Sequence, residues 1–173
     1  EVFRTNNKPP VNQIPNDTCV VVGDSINFEV SATDPNNDNI TLRATSGVFS
    51  LSCPATFKGI DSLPGISHSQ FKWKPCYEAV RNQPYNIIFK SDDDNEDIKL
   101  SDIDNMAIKV LGPPPLLMSA VAVGKYIQLT WADYGTTSIA GFSIYRREGD
   151  TTFTQDPCTP GVPSSSGFIK VGY

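Results

Sequence analysis

Oxygen donors are the residues of this chain best placed to do chemistry. Two short stretches concentrate them: Asp34-Pro35-Asn36-Asn37-Asp38-Asn39, and residues 91–97, which read Ser-Asp-Asp-Asp-Asn-Glu-Asp. Carboxylates, Asn carbonyls and backbone oxygens are the ligands of hard cations, and calcium takes roughly six to eight of them. The second stretch holds five acids and no base; taking those five from the 19 acids of the 173-residue chain leaves 14, equal to the 14 Lys plus Arg. The whole net charge of −5 therefore resides in residues 91–97. Such a run also reads as a solvated turn that keeps an exposed loop soluble.

Other reactive side chains form weaker patterns. The single His, His68, sits in the polar stretch Gly65-Ile66-Ser67-His68-Ser69, and no Gly-x-Ser-x-Gly elbow accompanies it, so a nucleophilic triad is not expected. Paired acids for glycoside hydrolysis occur only in the crowded acidic run, without apolar walls to raise one pKa. The chain is therefore read as a non-enzyme. Trp73 and Trp131 fall on strand positions whose alternation turns them inward, which favours core residues over carbohydrate-stacking platforms. The acidic balance and the absence of a basic patch argue against nucleic acid. No apolar run reaches the roughly 18 residues of a membrane-spanning helix.

Positioning these residues falls to strands. Ile26, Phe28, Val30 and Ala32 alternate with polar neighbours, and Ile40, Leu42 and Ala44 repeat the pattern after a turn. Phe71 and Trp73, then Tyr85, Ile87 and Phe89, then Met106, Ile108 and Val110 complete a set of short strands. Gly23-Asp24, Pro35-Asn36-Asn37-Asp38, Pro64-Gly65 and the acidic run supply the turns. One short helical candidate, Tyr77 to Arg81, is hemmed in by Pro75 and Pro84. Short alternating strands without intervening helices imply an all-β, antiparallel sandwich.

Gly112-Pro113-Pro114-Pro115 marks a boundary, because a proline run cannot join a central strand. Beyond it, residues 116–123, then Ile127, Leu129 and Trp131, then Phe142 and Ile144, and finally residues 168–173 read as four strands. A sandwich needs about seven strands and roughly 100 residues, so 113–173 is expected to be the first part of a second, incomplete sandwich. Residues 1–8 are read as the tail and linker of a preceding module, and 9–112 as the first complete domain.

Four cysteines and a composition rich in Thr, Ser, Asn, Gly and Pro, with 19% charged residues, point to a secreted protein with disulfides. In a sandwich, Cys19 precedes the turn into the strand starting at Ile26, and Cys76 follows the Trp73 strand. Both then lie at the pole opposite the acidic loops, which favours a Cys19–Cys76 bond, with Cys53–Cys76 as the alternative.

Ala32-Thr33-Asp34-Pro35-Asn36-Asn37-Asp38-Asn39-Ile40-Thr41-Leu42, with Gly23-Asp24-Ser25-Ile26 before it and Phe71-Lys72-Trp73-Lys74-Pro75 and Tyr85 to Asp92 after it, resembles bacterial immunoglobulin-like and cadherin-like repeats. Ile127 to Trp131 and Gly141 to Arg147 look like the first half of a fibronectin type III domain. The order of modules is similar to that in large surface proteins of gliding Bacteroidetes exported by the type IX system. Tyr85 resembles a tyrosine-corner residue, whose hydroxyl bonds nearby backbone.

An immunoglobulin-like topology would gather Asn6, Asn7, the loop from Asp34 to Asn39 and the acidic run at one pole. There the cadherin-like resemblance implies a calcium site at Asp34, Asn36, Asp38, Asp92 and Asp94. The resemblance also implies a structural and adhesion segment of a secreted, outer-membrane-associated cell-surface protein, linked to gliding motility. Its partners would be neighbouring modules of the same chain and a surface glycan or protein ligand. Two further readings are an accessory region of a secreted carbohydrate-active enzyme and a substrate or subunit of an outer-membrane export machine.

Overall fold

The computed structural model describes residues 6–116, 118–133, 141–149, 152–154 and 156–172. The expected closing strand of a preceding module, at residues 1–5, lies outside them. Two units are present, Glu1–Val110 and Leu111–Tyr173.

The first unit is built from β1 (Val11–Gln13), β2 (Thr18–Val21), β3 (Ile26–Thr33), β4 (Ile40–Thr45), β5 (Thr56–Leu63), β6 (Ile66–Trp73), β7 (Tyr85–Asp93) and β8 (Ser101–Leu111). They form two four-stranded sheets, ordered β1-β3-β6-β5 and β2-β8-β7-β4. Antiparallel pairing sets Ile26 opposite Trp73 and Thr33 opposite Ile66, while Tyr85 faces Ile108 and Asp92 faces Ser101. The expected alternation holds in the central strands. Val30 and Phe71 of one sheet meet Ile87, Phe89, Met106 and Ile108 of the other in a single buried core. Phe28 stacks on Phe71 at 4.8 Å and meets Phe89 edge-on at 6.4 Å, so aromatic contacts bridge the two layers.

β1, β2 and β5 were not legible as strands. β5 shows no alternation because it is an edge strand whose side chains are almost all exposed, including Ile60 and Leu63. The helical candidate at Tyr77 shrinks to a 3-10 turn, Tyr77–Ala79.

One end of the sandwich, here the upper pole, carries the loop between β3 and β4, the β5–β6 hairpin and the loop between β7 and β8. The lower pole carries the β2–β3 turn and the segments leading from β4 to β5 and from β6 to β7. There Ala55 N–H donates to Val48 O at 3.0 Å and closes a small loop that carries Cys53.

The second unit contains an antiparallel hairpin of β9 (Ser119–Val123) and β10 (Tyr126–Thr130), and an antiparallel pair of β11 (Ile144–Arg146) and β12 (Ile169–Gly172). Phe153 and Phe168 pack edge-on at 5.6 Å. Two-stranded pieces bury little by themselves. Val121, Ile127, Ile169 and Val171 are accordingly exposed. Trp131 is not the core residue expected from alternation: it lies just past β10, 42% exposed, with one edge against Phe142 at 6.1 Å.

Candidate functional site

The upper pole is where oxygen donors converge. The inward parity of β3 (Val30, Ala32) continues to Asp34, and that of β7 (Ile87, Phe89, Ser91) continues to Asp93. Each carboxylate therefore takes the next core-facing position of its sheet, and Asp34 and Asp93 are only 8% and 3% exposed. One carboxylate oxygen each from Asp34, Asp38 and Asp93 lie within 4.8 Å of one another. Among the described residues no Lys or Arg side chain pairs with these three; the basic partners found at this end, Arg43 and Lys90, go to Asp92.

Backbone geometry holds the three in place. Asp34 Oδ1 accepts from the N–H groups of Asn36 at 2.7 Å and Asp38 at 3.1 Å, folding the β3–β4 loop around one oxygen. The β5–β6 hairpin clasps that loop: Asp34 N–H donates to Gly65 O at 2.8 Å, and Gly65 N–H donates to Asp38 O at 3.1 Å. Gly65 has φ +76°, and a Cβ there would collide with the Asn37 side-chain oxygen, so the clasp requires glycine. Asp93 Oδ1 accepts from Leu100 N–H at 2.8 Å and Asp93 Oδ2 from Asn7 Nδ2 at 2.7 Å; the same Asn7 nitrogen reaches Ile98 O at 2.9 Å. Asn95 Nδ2 donates to Asp38 Oδ2 at 3.0 Å.

The sequence pointed to five ligands. The structure brings Asp34 and Asp38 together and disperses the others. Asn36 ties down the incoming chain, its Oδ1 accepting from Lys8 N–H at 2.8 Å. Asp92 points to the outer face of β7, where Oδ1 meets Lys90 Nζ at 2.6 Å and Ser101 Oγ at 2.5 Å, and Oδ2 meets Arg43 Nη1 at 3.0 Å. These hydrogen bonds, that from Lys90 foremost, hold its pKa below the usual carboxylate value. Asp94 accepts from the side chain and backbone N–H of Asn39, both at 2.8 Å, which also lowers its pKa. It helps to line an exposed depression with Asp38, Asn39, Asn95, Glu96 and Asp97. Asp93, which sequence reasoning passed over, replaces its two neighbours. The signal was present: in the alternation Tyr85, Ile87, Phe89, Ser91, only Asp93 shares the inward parity.

At the lower pole Cys76 is joined to Cys53, with Cα atoms 5.9 Å apart, so the favoured Cys19–Cys76 bond is corrected to its alternative. Trp73 Nε1–H donates to Cys53 O at 2.9 Å, which holds that loop beside the end of β6 and within reach of Cys76. Tyr85 occupies the expected corner, its hydroxyl donating to Ala79 O at 3.1 Å. His68 lies on the outer face of β6, with Nδ1 2.6 Å from Glu29 Oε1.

No family model and no curated protein matches the chain. Solved structures do. The SrpA adhesin of Streptococcus sanguinis is similar at TM-score 0.51 and 12% identity, over 68% of this chain and 66% of that one. The sialic acid binding region of the Streptococcus sanguinis SK1 adhesin, solved with 3'sLn, is similar at TM-score 0.48 and 12% identity over 69% of this chain. This chain spans about a third of its length, 34%. AggA, the major subunit of aggregative adherence fimbriae type I from Escherichia coli, is covered fully, at 13% identity and TM-score 0.39. The SrpA likeness is one of fold. The chain carries an all-β, immunoglobulin-like sandwich.

Proposed function

We propose that this chain is a non-catalytic, force-transmitting adhesion segment of a large secreted bacterial cell-surface protein. One observation carries the reading: the chain enters the first unit at the upper pole and leaves it at the lower pole along strands that run side by side in the same direction. Asn12 N–H donates to Asp102 Oδ2 at 2.9 Å and Ala107 N–H to Asp17 Oδ1 at 2.8 Å. Both partners advance by the same number of residues, so the β1–β2 segment descends with β8, and β2 is the neighbour of β8 in the sheet. Tension applied at entry and exit shears these strands along their length. Every bond between them then resists at once, which suits a module strung in a stalk.

The Cys53–Cys76 bond supports an oxidising, extracellular location, and the fold shared with a streptococcal adhesin supports a surface role. Neighbouring modules of the same chain would be its mechanical partners, with a surface glycan or protein ligand bound through exposed loops or the β5 edge. Placement in gliding Bacteroidetes and export by the type IX system belong to the proposal through the sequence resemblance, as does a fibronectin type III identity for residues 113–173.

Single-molecule pulling tests the central claim. Handles at residues 8 and 112 shear β2 against β8, whereas handles at residues 24 and 112, both at the lower pole, unzip them from one end. The first geometry is expected to need a several-fold higher force to unfold the first unit. Equal forces would remove the mechanical reading.

A further inference from the structure

The carboxylates at the upper pole carry an inference independent of the adhesion reading. Asp34 is more than nine-tenths buried, and its Oδ1 is fully engaged by two backbone N–H groups, yet its Oδ2 has no hydrogen-bond partner. A buried carboxylate oxygen without a donor is costly and demands an explanation. One carboxylate oxygen of Asp34 lies within 4.8 Å of carboxylate oxygens of Asp38 and Asp93, and among the described residues no Lys or Arg forms a salt bridge with any of the three. Like charges at that distance repel, and burial strengthens the repulsion.

We propose that Asp34, Asp38 and Asp93 bind a calcium ion, with Asp34 Oδ2 as the central ligand. The spacing fits: calcium binds oxygen at roughly 2.3–2.6 Å, so ligands on opposite sides of one ion stand just under about 5 Å apart. The donors are all hard oxygens, and the metal-binding cluster contains neither His nor thiolate, which disfavours zinc. Each Asp93 oxygen keeps a second lone pair beyond its bonds to Leu100 and Asn7. Magnesium requires near-ideal octahedral geometry and gives up its waters reluctantly, so loops contributing buried carboxylates from both sheets suit the larger, more tolerant ion. Because Asp34 ends one sheet and Asp93 the other, the ion would close the mouth between the layers. It would also brace the entry segment through Asn7.

Calorimetric titration of the chelator-stripped full chain with calcium chloride, alongside melting curves, tests the site. One saturable site is expected, with a Kd on the order of 10⁻⁴–10⁻³ M as in extracellular modules, and Tm rising with calcium concentration by linkage. Asp34→Asn keeps the Oδ1 contacts that shape the loop. It is expected to weaken binding by at least about tenfold, melting below wild type in calcium and at or above it in chelator. Asp38→Asn should act in the same sense, and Asp94→Asn should leave binding intact. A wild-type Tm unmoved by about 10 mM calcium, Asp34→Asn that binds normally, or an equal response to magnesium would each overturn the assignment.

Discussion

The indole N–H of Trp73 donates to the carbonyl oxygen of Cys53 at 2.9 Å, joining the buried end of β6 to the loop that carries one half of the Cys53–Cys76 disulfide. A core side chain and a covalent bond thus hold the same piece of the lower pole. Trp73 also meets Tyr85 edge-on at 5.3 Å, and Arg81 lies 3.6 Å over the Tyr85 ring.

Replacing both cysteines of that bond, Cys53→Ala with Cys76→Ala, frees a loop spanning a sequence separation of 23. Loop-closure entropy sets the cost at about 3 kcal/mol. Trp73→Phe removes the donor to Cys53 O as well as packing volume, and its effect should be smaller when the cysteines are already gone. Urea unfolding of the two variants and their combination checks both points; strict additivity would show that indole and disulfide act separately.

Tyr85→Phe deletes a hydroxyl that is buried against Ala79 O. The carbonyl left behind loses its donor, and a loss of about 1–3 kcal/mol is expected. Chemical denaturation at neutral pH reads it directly. Because the ring and its contact with Trp73 are retained, the unfolding m-value should stay unchanged.

Acid should weaken the first unit in part through Asp92. Its folded pKa is lowered, first by the hydrogen bond from Lys90 and then by that from Ser101. The unfolded chain therefore takes up this proton before the folded one. The stabilisation is present above the unfolded value of about 3.9 and disappears as pH falls through the lower folded value. Asp94, lowered by its two bonds from Asn39, acts with the same sign. Asp92→Asn is expected to flatten the stability profile below about pH 4. Urea melts from neutral pH down to acid check it: a wild-type slope preserved in the variant would assign the acid sensitivity elsewhere.

Much of the sandwich was readable from residue order. The inward sets Val30 and Ala32, Ile87 and Phe89, and Ile108 and Val110 follow from period-two alternation, since a strand with one buried face must alternate. β5 was not readable, because an edge strand with both faces largely in solvent has no such constraint, and β1 and β2 are too short to show a period.

At the upper pole, sequence alone determined that the charge excess sits in one loop and that carboxylates abound there. Tertiary structure decided which of them meet. Asp92 and Asp94 are the same residue type as Asp93, but strand pleating turns Asp92 outward to Lys90 and Arg43, and Asn39 takes up Asp94. Asp93 alone is carried into the gap between the sheets. Its approach to Asp34 depends on the packing of two sheets whose facing strands are distant in sequence. Composition counts charges; the pairing of layers places them.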